Sequence, residues 1–359
     1  MAAAGRIILI LVVLVLVAAG AGYFLTPPVA ARSQTIEVER PAPTVLARLA
    51  TTPVGATVAE GVTIAEAASV EGDVVTAPVT YADGATGRVV YTVTPAGEGS
   101  RVQVKLEQDL GPNPLARINA ITGGPVAPLI EAAAAGVNTD LTALPNATFE
   151  GLQYSLVQLE ARPFFYVENC SDASAESITS IISQAVAAIP PVMRTSNLSV
   201  NGQLMAVEPR VVQGQYCYQV GYPYTGRAPR ALLIGKTGQT PAGQALRVVY
   251  TGTEENVLAE VYNRMDALLG AAHVDNPATT EDDWTTFEIY HDDPMQPGGS
   301  RNREIYYVAN GDISAVTRLL PPSEAAPIVQ VSTPAEAPAA AAPAAETPAA
   351  TPAPAPATP

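Results

Sequence analysis

Residues 244–270 read QALRVVYTGTEENVLAEVYNRMDALLG, a β-branched run followed by a helical pattern, and the fold turns on whether this pair occurs twice. In the helical part Val257, Leu258, Val261, Met265, Leu268 and Leu269 fall on one face at helical spacing. WTTFEIYHD at 284–292 and NREIYYVA at 302–309 follow as strands. The same order precedes it. LVQLEARPFFYVEN at 156–169 is a strand pattern, and 171–189 places Ile178, Ile181, Ile182, Ala185, Val186 and Ile189 on one helical face. GQLMAVEP at 202–209 and GQYCYQVGYP at 214–223 complete that half. Each half reads strand, helix, strand, strand. This predicts an α+β class and a pseudo-twofold duplicated β-α-β-β domain with antiparallel sheets over 152–310, with a cleft between the halves.

Two near-identical triplets, Glu288-Ile289-Tyr290 and Glu304-Ile305-Tyr306, lie on the last two strands. Alternation with period two puts Trp284, Thr286, Glu288 and Tyr290 on one face of their strand, and Glu304, Tyr306 and Val308 on one face of theirs. The expectation is that both sets line one surface, joined from the first half by Tyr216 and Tyr218, which share a face. Carboxylates among aromatic rings suit an organic cation, which the ring faces attract by about 0.5–2 kcal/mol per contact. The competing reading is structural: strands favour Tyr and Trp, and Glu304 has Arg247, Arg301 or Arg303 as potential ion-pair partners.

Upstream, 33–147 begins with the alternating SQTIEVERP and a short helix pattern in PAPTVLARLA. Strand runs follow in ATVAEGVTIAEAAS, DVVTAPVTYA, GRVVYTVTP and SRVQVKLEQDL, separated by Gly-containing turns, and then helical material in NPLARINAI and 126–144. Gly123-Gly124-Pro125 is expected to break that helix.

This element order, with the GPNPLARI entry to the final helix, resembles the START/polyketide-cyclase-like helix-grip superfamily, folds that often enclose an apolar ligand. The second segment resembles the gyrase-inhibitor-like effector-binding domain through RPFFYV, GQYCYQVGYP, PAGQALRVVYTGTEENV, and FEIY followed after a loop by REIYYVA. That resemblance implies an aromatic cleft with a central carboxylate facing a cationic or aromatic small molecule. The carboxylate carries over to Glu304, with Glu288 at the matching position of the preceding strand. Some relatives resemble hydrolases using a Glu and a Tyr, so hydrolysis stands as the alternative to binding, alongside a non-catalytic envelope interaction role. No helix-turn-helix precedes the segment.

The ends differ from the middle. The uncharged run IILILVVLVLVAAGAGYFL at 7–25 approaches the ~20 residues that cross a bilayer, so 1–31 reads as an N-terminal transmembrane helix and linker, with cleavage at the small residues around 20–22 as the alternative. Arg6 before the run predicts a single-pass protein of the inner membrane with its domains in the periplasm or extracytoplasmic space. Residues 321–359 are mostly Pro, Ala, Thr, Ser and Glu, a composition that predicts a disordered tail.

The net charge of −15, without a Lys/Arg cluster, argues against nucleic acid as a partner. A small molecule and the membrane are the expected partners, and no protein partner can be named. Two histidines and two distant cysteines give no metal pattern, and no cofactor motif is present. His291-Asp292-Asp293 reads as a solvated strand end. Cys170 and Cys217 are either a disulfide or two buried thiols.

Overall fold

The computed structural model describes residues 28–112, 114–121, 124–172, 174–212, 215–229, 234–252, 255–274, 284–292, 302–323 and 329–330. The first sheet contains β1 (Val29–Val38), β2 (Thr57–Ala59), β3 (Val62–Ile64), β4 (Ser69–Glu71), β5 (Val74–Tyr81), β6 (Thr86–Ala96) and β7 (Gly99–Asp109). Its order is β1-β7-β6-β5-β3-β2, with β4 on β5, and every pairing is antiparallel. Helix α1 (Ala42–Ala50) follows β1, with Pro41 at its N-cap and no side-chain cap. Helices α2 (Pro114–Ala120) and α3 (Ile130–Thr142) follow β7, separated by a 3₁₀ turn at Gly124–Val126 where the sequence predicts a break. α3 packs across β1, β2 and β7, while α1 packs on β5, β6 and β7. Alternate residues of the long strands, Val89, Tyr91 and Val93 on β6 and Val102, Val104 and Leu106 on β7, enter one apolar core with Val45, Leu49, Ala133 and Leu141 from the helices. Removing this much apolar surface from water is what holds the helices on the sheet, at roughly 25 cal/mol per Å².

The second sheet contains β8 (Ser155–Leu159), β9 (Pro163–Ser171), β10 (Ser199–Val200), β11 (Met205–Val212), β12 (Gln215–Thr225), β13 (Lys236–Gln239), β14 (Gly243–Tyr250), β15 (Trp284–Tyr290), β16 (Arg303–Ala309) and β17 (Val329–Gln330). Its order is β13-β9-β12-β11-β15-β16-β14-β8-β17, with β10 on β12. The predicted repeat is visible in that order: β9-β12-β11 on one side mirrors β14-β16-β15 on the other, about the central pair Ala206↔Glu288. The flanking strands are exchanged, since β8 precedes the first half yet pairs with β14, and β13 precedes the second half yet pairs with β9. Among the described strands only β17 runs parallel to its neighbour.

Helix α4 (Ala175–Thr195) opens with Ser174, whose side chain accepts from the Ser177 amide, and it continues through Pro190 and Pro191 beyond the pattern read to Ile189. Helix α5 (Glu255–Ala271) belongs to the second half, and α6 (Ser314–Leu319) follows β16. Two apolar clusters hold α4 and α5 to one face of the curled sheet: Ile181, Ile182, Ala185 and Ile189 with Phe165 and Val220, and Leu258, Met265, Leu268 and Leu269 with Leu246, Val248 and Ile305. A third cluster, Val157, Leu159, Phe164, Met205, Val207, Ala245, Phe287, Tyr306 and Val308, comes from strands alone. Alternation assigns it to the opposite, helix-free face, and its members span β9 to β8, so the curl of the sheet closes this face on itself.

The two layers meet where α1 lies beside the C-terminus of α5. Arg48 donates from Nη1 to the Gly270 carbonyl at 2.5 Å and pairs with Asp140 on α3, and Thr51 Oγ1 donates to the Ala271 carbonyl at 2.5 Å. Helix C-termini present unpaired carbonyls and partial negative charge, so a cation and a hydroxyl from the first layer satisfy what α5 leaves open.

The expected inner-membrane, single-pass placement is corrected. No helix among the described residues is long and apolar enough to cross a membrane, so no element of the structure supports that placement. The run at 7–25, on which it was read, lies outside the described residues. Cys170 and Cys217 face each other across β9 and β12 and form a disulfide.

Candidate functional site

The register of β15 against β16 decides which side chains share a surface. Glu288 lies opposite Ile305 and Ile289 opposite Glu304, and directly opposed residues point to the same face. The two carboxylates therefore project from opposite faces of the sheet. The expectation that both acids and both phenols meet on one surface is corrected by this one-residue offset, because side chains alternate with period two.

On the helix-free face, Glu304 and Tyr306 stand beside Phe287, Ile289 and, from β14, Arg247. Phe287 and Tyr306, opposed in register, stack with ring centroids 4.6 Å apart and planes 4° from parallel. Glu304 Oε2 accepts from Arg247 Nε at 2.8 Å and also from the Tyr306 hydroxyl. His291 Nε2 meets Oε1 at 2.9 Å, and the imidazole is held from behind by Gln203 Nε2 at 2.9 Å from Nδ1. Burial alone would raise the Glu304 pKa, but hydrogen bonds from Arg247 and Tyr306, the Arg247 charge and the His291 bond bring it down to about 2. Burial, then Glu304 itself, pushes the Tyr306 phenol up, so the pair is carboxylate and neutral phenol across the ordinary pH range. A second aromatic pair on this face, Phe164 and Tyr166, stacks at 5.4 Å.

The helix-covered face holds the other predicted residues. Glu288 Oε2 accepts from Arg303 Nη1 at 2.7 Å, and both side chains are nearly buried, 16% and 11% exposed. The Arg303 guanidinium lies 4.8 Å from the centroid of Tyr290, whose phenol burial and the Glu288 charge push well above its ordinary range. Tyr290 and Tyr218 pack with the α4 cluster, and Tyr216 is at the exposed end of the same face. Trp284 joins the α5 cluster and donates from Nε1 to the Val274 carbonyl at 3.2 Å. It also lines a hollow of about 270 Å³ with His273, Val274, Ala309, Asn310, Gly311 and Asp312, away from Glu304.

Of the predicted set, then, the structure brings together Glu304 and Tyr306. It places Trp284, Glu288, Tyr290, Tyr216 and Tyr218 on the other face. The site also contains Phe287 and Gln203, which the sequence does not single out, His291, which it assigns to a solvated strand end, and Arg247, which it offers only as an ion-pair partner. Phe287 was legible in principle, since a hairpin register offset by one pairs it with Tyr306.

No protein family matches the sequence, and no curated protein matches it. Among solved structures, SAV2435 bound to tetraphenylphosphonium, a GyrI-like effector-binding protein, is similar at 11% identity, with a TM-score of 0.34 over 45% of this chain and 95% of that one. A hydrolase from Listeria innocua is similar at 9% identity, with a TM-score of 0.28 over 44% and 91%. The di-domain ARO/CYC BexL from the BE-7585A biosynthetic pathway is similar at 12% identity, with a TM-score of 0.22 over 82% and 89%. At such scores the likenesses carry no argument about activity, and the functional reading rests on the side chains.

Proposed function

We propose that residues 152–310 form a small-molecule-binding module, that 33–147 form a separate helix-grip module, and that the ligand lies against the helix-free face beside Glu304. The observation that carries this reading is a carboxylate bonded by Arg247, Tyr306 and His291 at the edge of a stacked aromatic pair, with the arginine and the histidine each about one-third exposed. Arg247 is 32% and His291 36% exposed by side chain, against 15% for Glu304, so polar groups frame the water-facing edge of a stack whose own rings are buried, Phe287 at 2% and Tyr306 at 5%. Apolar floors with a few placed polar groups are the usual composition of ligand sites.

The test is an NMR titration with a neutral aromatic probe, 2-naphthol. Shifts centred on Phe287 and Tyr306, weakened at least fivefold by Phe287→Ala and untouched by Tyr216→Phe, are the expected result. Shifts centred on Tyr290 and Trp284 would place the ligand on the wrong face and end this reading.

A further inference from the structure

We propose that Arg247, and not Glu304, takes the charged group of the ligand, so that the site selects aromatic molecules carrying a carboxylate over bare organic cations. The inference rests on the reading above and specifies the chemistry of its ligand. It follows from counting what each charged group has left to offer. A carboxylate has about four lone-pair directions, and three on Glu304 are occupied, by Arg247, Tyr306 and His291. A guanidinium has five N–H donors in a fixed fork. Among the described residues Arg247 uses Nε on Glu304 and a further hydrogen bond with Tyr306, which leaves about three donors. The residual capacity of the pair is donor-rich.

Accessibility and position agree with the count. Arg247 is about twice as exposed as Glu304, 32% against 15%, so an incoming group meets the cation before the anion. Arg247 lies directly opposite Tyr306 in the β14–β16 register, at the border of the stacked pair. Val249, opposite Glu304 and on the same face as Arg247, is 52% exposed and adds an apolar flank. A planar carboxylate on this fork, with its ring toward Tyr306 and Phe287, matches the geometry in which arginine binds oxyanions in pairs of hydrogen bonds. A lone organic cation would find the Glu304 charge already neutralised and Arg247 repelling it. An ammonium beside the carboxylate would still reach the remaining Glu304 lone pair, which favours zwitterions. The twofold places Gln219 where Glu304 stands and Tyr166 where Arg247 stands, and the first half carries instead an ion pair of Glu168 with Lys236, so the guanidinium fork has no counterpart at the matching position.

Three probes sharing a phenyl ring separate the cases: phenethylamine, phenylalanine and 3-phenylpropionate, titrated at about pH 8 against the full chain and against Arg247→Met and Arg247→Lys. At that pH the first probe is a cation, the second a zwitterion and the third an anion. The expected result is at least tenfold tighter binding of phenylalanine and phenylpropionate than of phenethylamine. Arg247→Met should abolish that preference, and Arg247→Lys, which keeps the charge but loses the fork, should retain part of it. Tighter binding of phenethylamine, or an order of affinities unchanged in a folded Arg247→Met, overturns the proposal while leaving an aromatic site in place. Failure of all three probes and of 2-naphthol to bind overturns the site itself, and this inference with it.

Discussion

Glu304 accepts hydrogen bonds from β14, from its own strand and from the residue after β15, whereas Glu288 is held by Arg303 and the Tyr290 phenol in a nearly closed environment. Replacing Glu304 by Gln leaves Arg247 without its charge partner at a partly exposed position, and a loss of about 1–3 kcal/mol is expected in chemical denaturation. The acid limb carries a sign. With the native pKa near 2 and the ordinary value at 4.5, the carboxylate contributes stability that is complete above about pH 4.5 and is lost as pH falls toward 2. Melting curves of Glu304→Gln over that range should lack this component. Glu288→Gln should lower stability by about 3 kcal/mol, because Arg303 is then buried without a countercharge, and aromatic probes should bind the folded variant as they bind wild type.

At the scale of elements, the strand-helix-strand-strand repeat was legible because α4 and α5 keep apolar residues at helical spacing and turn residues punctuate the strands. Which face each side chain takes was not. Alternation along one strand is a local property, but pairing Glu288 with Ile305 instead of Glu304 depends on where the long connection between β15 and β16 sets the register, and one residue reverses every side chain. Trp284 and Tyr290 look like site aromatics from composition, yet they serve the α4 and α5 clusters, since large rings supply the most buried area under a helix. The exchange of β8 and β13 between halves was also invisible, because nothing local to either strand names its partner. The Cys170–Cys217 bridge clamps β9 to β12 across 47 residues that include α4. Reduction, or Cys170→Ser with Cys217→Ser, should cost about 2–4 kcal/mol through the freed loop, read as a lower melting temperature under dithiothreitol.

At the scale of the molecule, the two layers are tied through one helix end. Arg48 is 8% exposed and bridges Asp140 on α3 to the Gly270 carbonyl of α5, while His273, in a left-handed backbone position with φ 54°, bonds the Arg48 carbonyl through Nε2 at 2.8 Å. Burial, then the Arg48 charge, holds the His273 pKa below its ordinary 6.5, so the native state prefers neutral imidazole. Stability from this contact is therefore complete above about pH 6.5 and declines as pH falls below it, where the unfolded chain binds the proton more readily. His273→Asn, which tolerates left-handed backbone, should flatten the dependence of melting temperature on pH between about 7 and 5. An unchanged slope would remove the histidine from the junction's pH response.

The claim on which the rest depends is that the ligand face is the one without helices. The direct measurement is aromatic-resolved NMR of the full chain titrated with phenylalanine, with Tyr306 and Phe287 reporting one face and Trp284 and Tyr290 the other. Saturable shifts at Tyr306 and Phe287 that disappear in Arg247→Met, with Trp284 and Tyr290 unmoved, are predicted. Saturable shifts at Trp284 or Tyr290, with Tyr306 and Phe287 unmoved, would contradict the account.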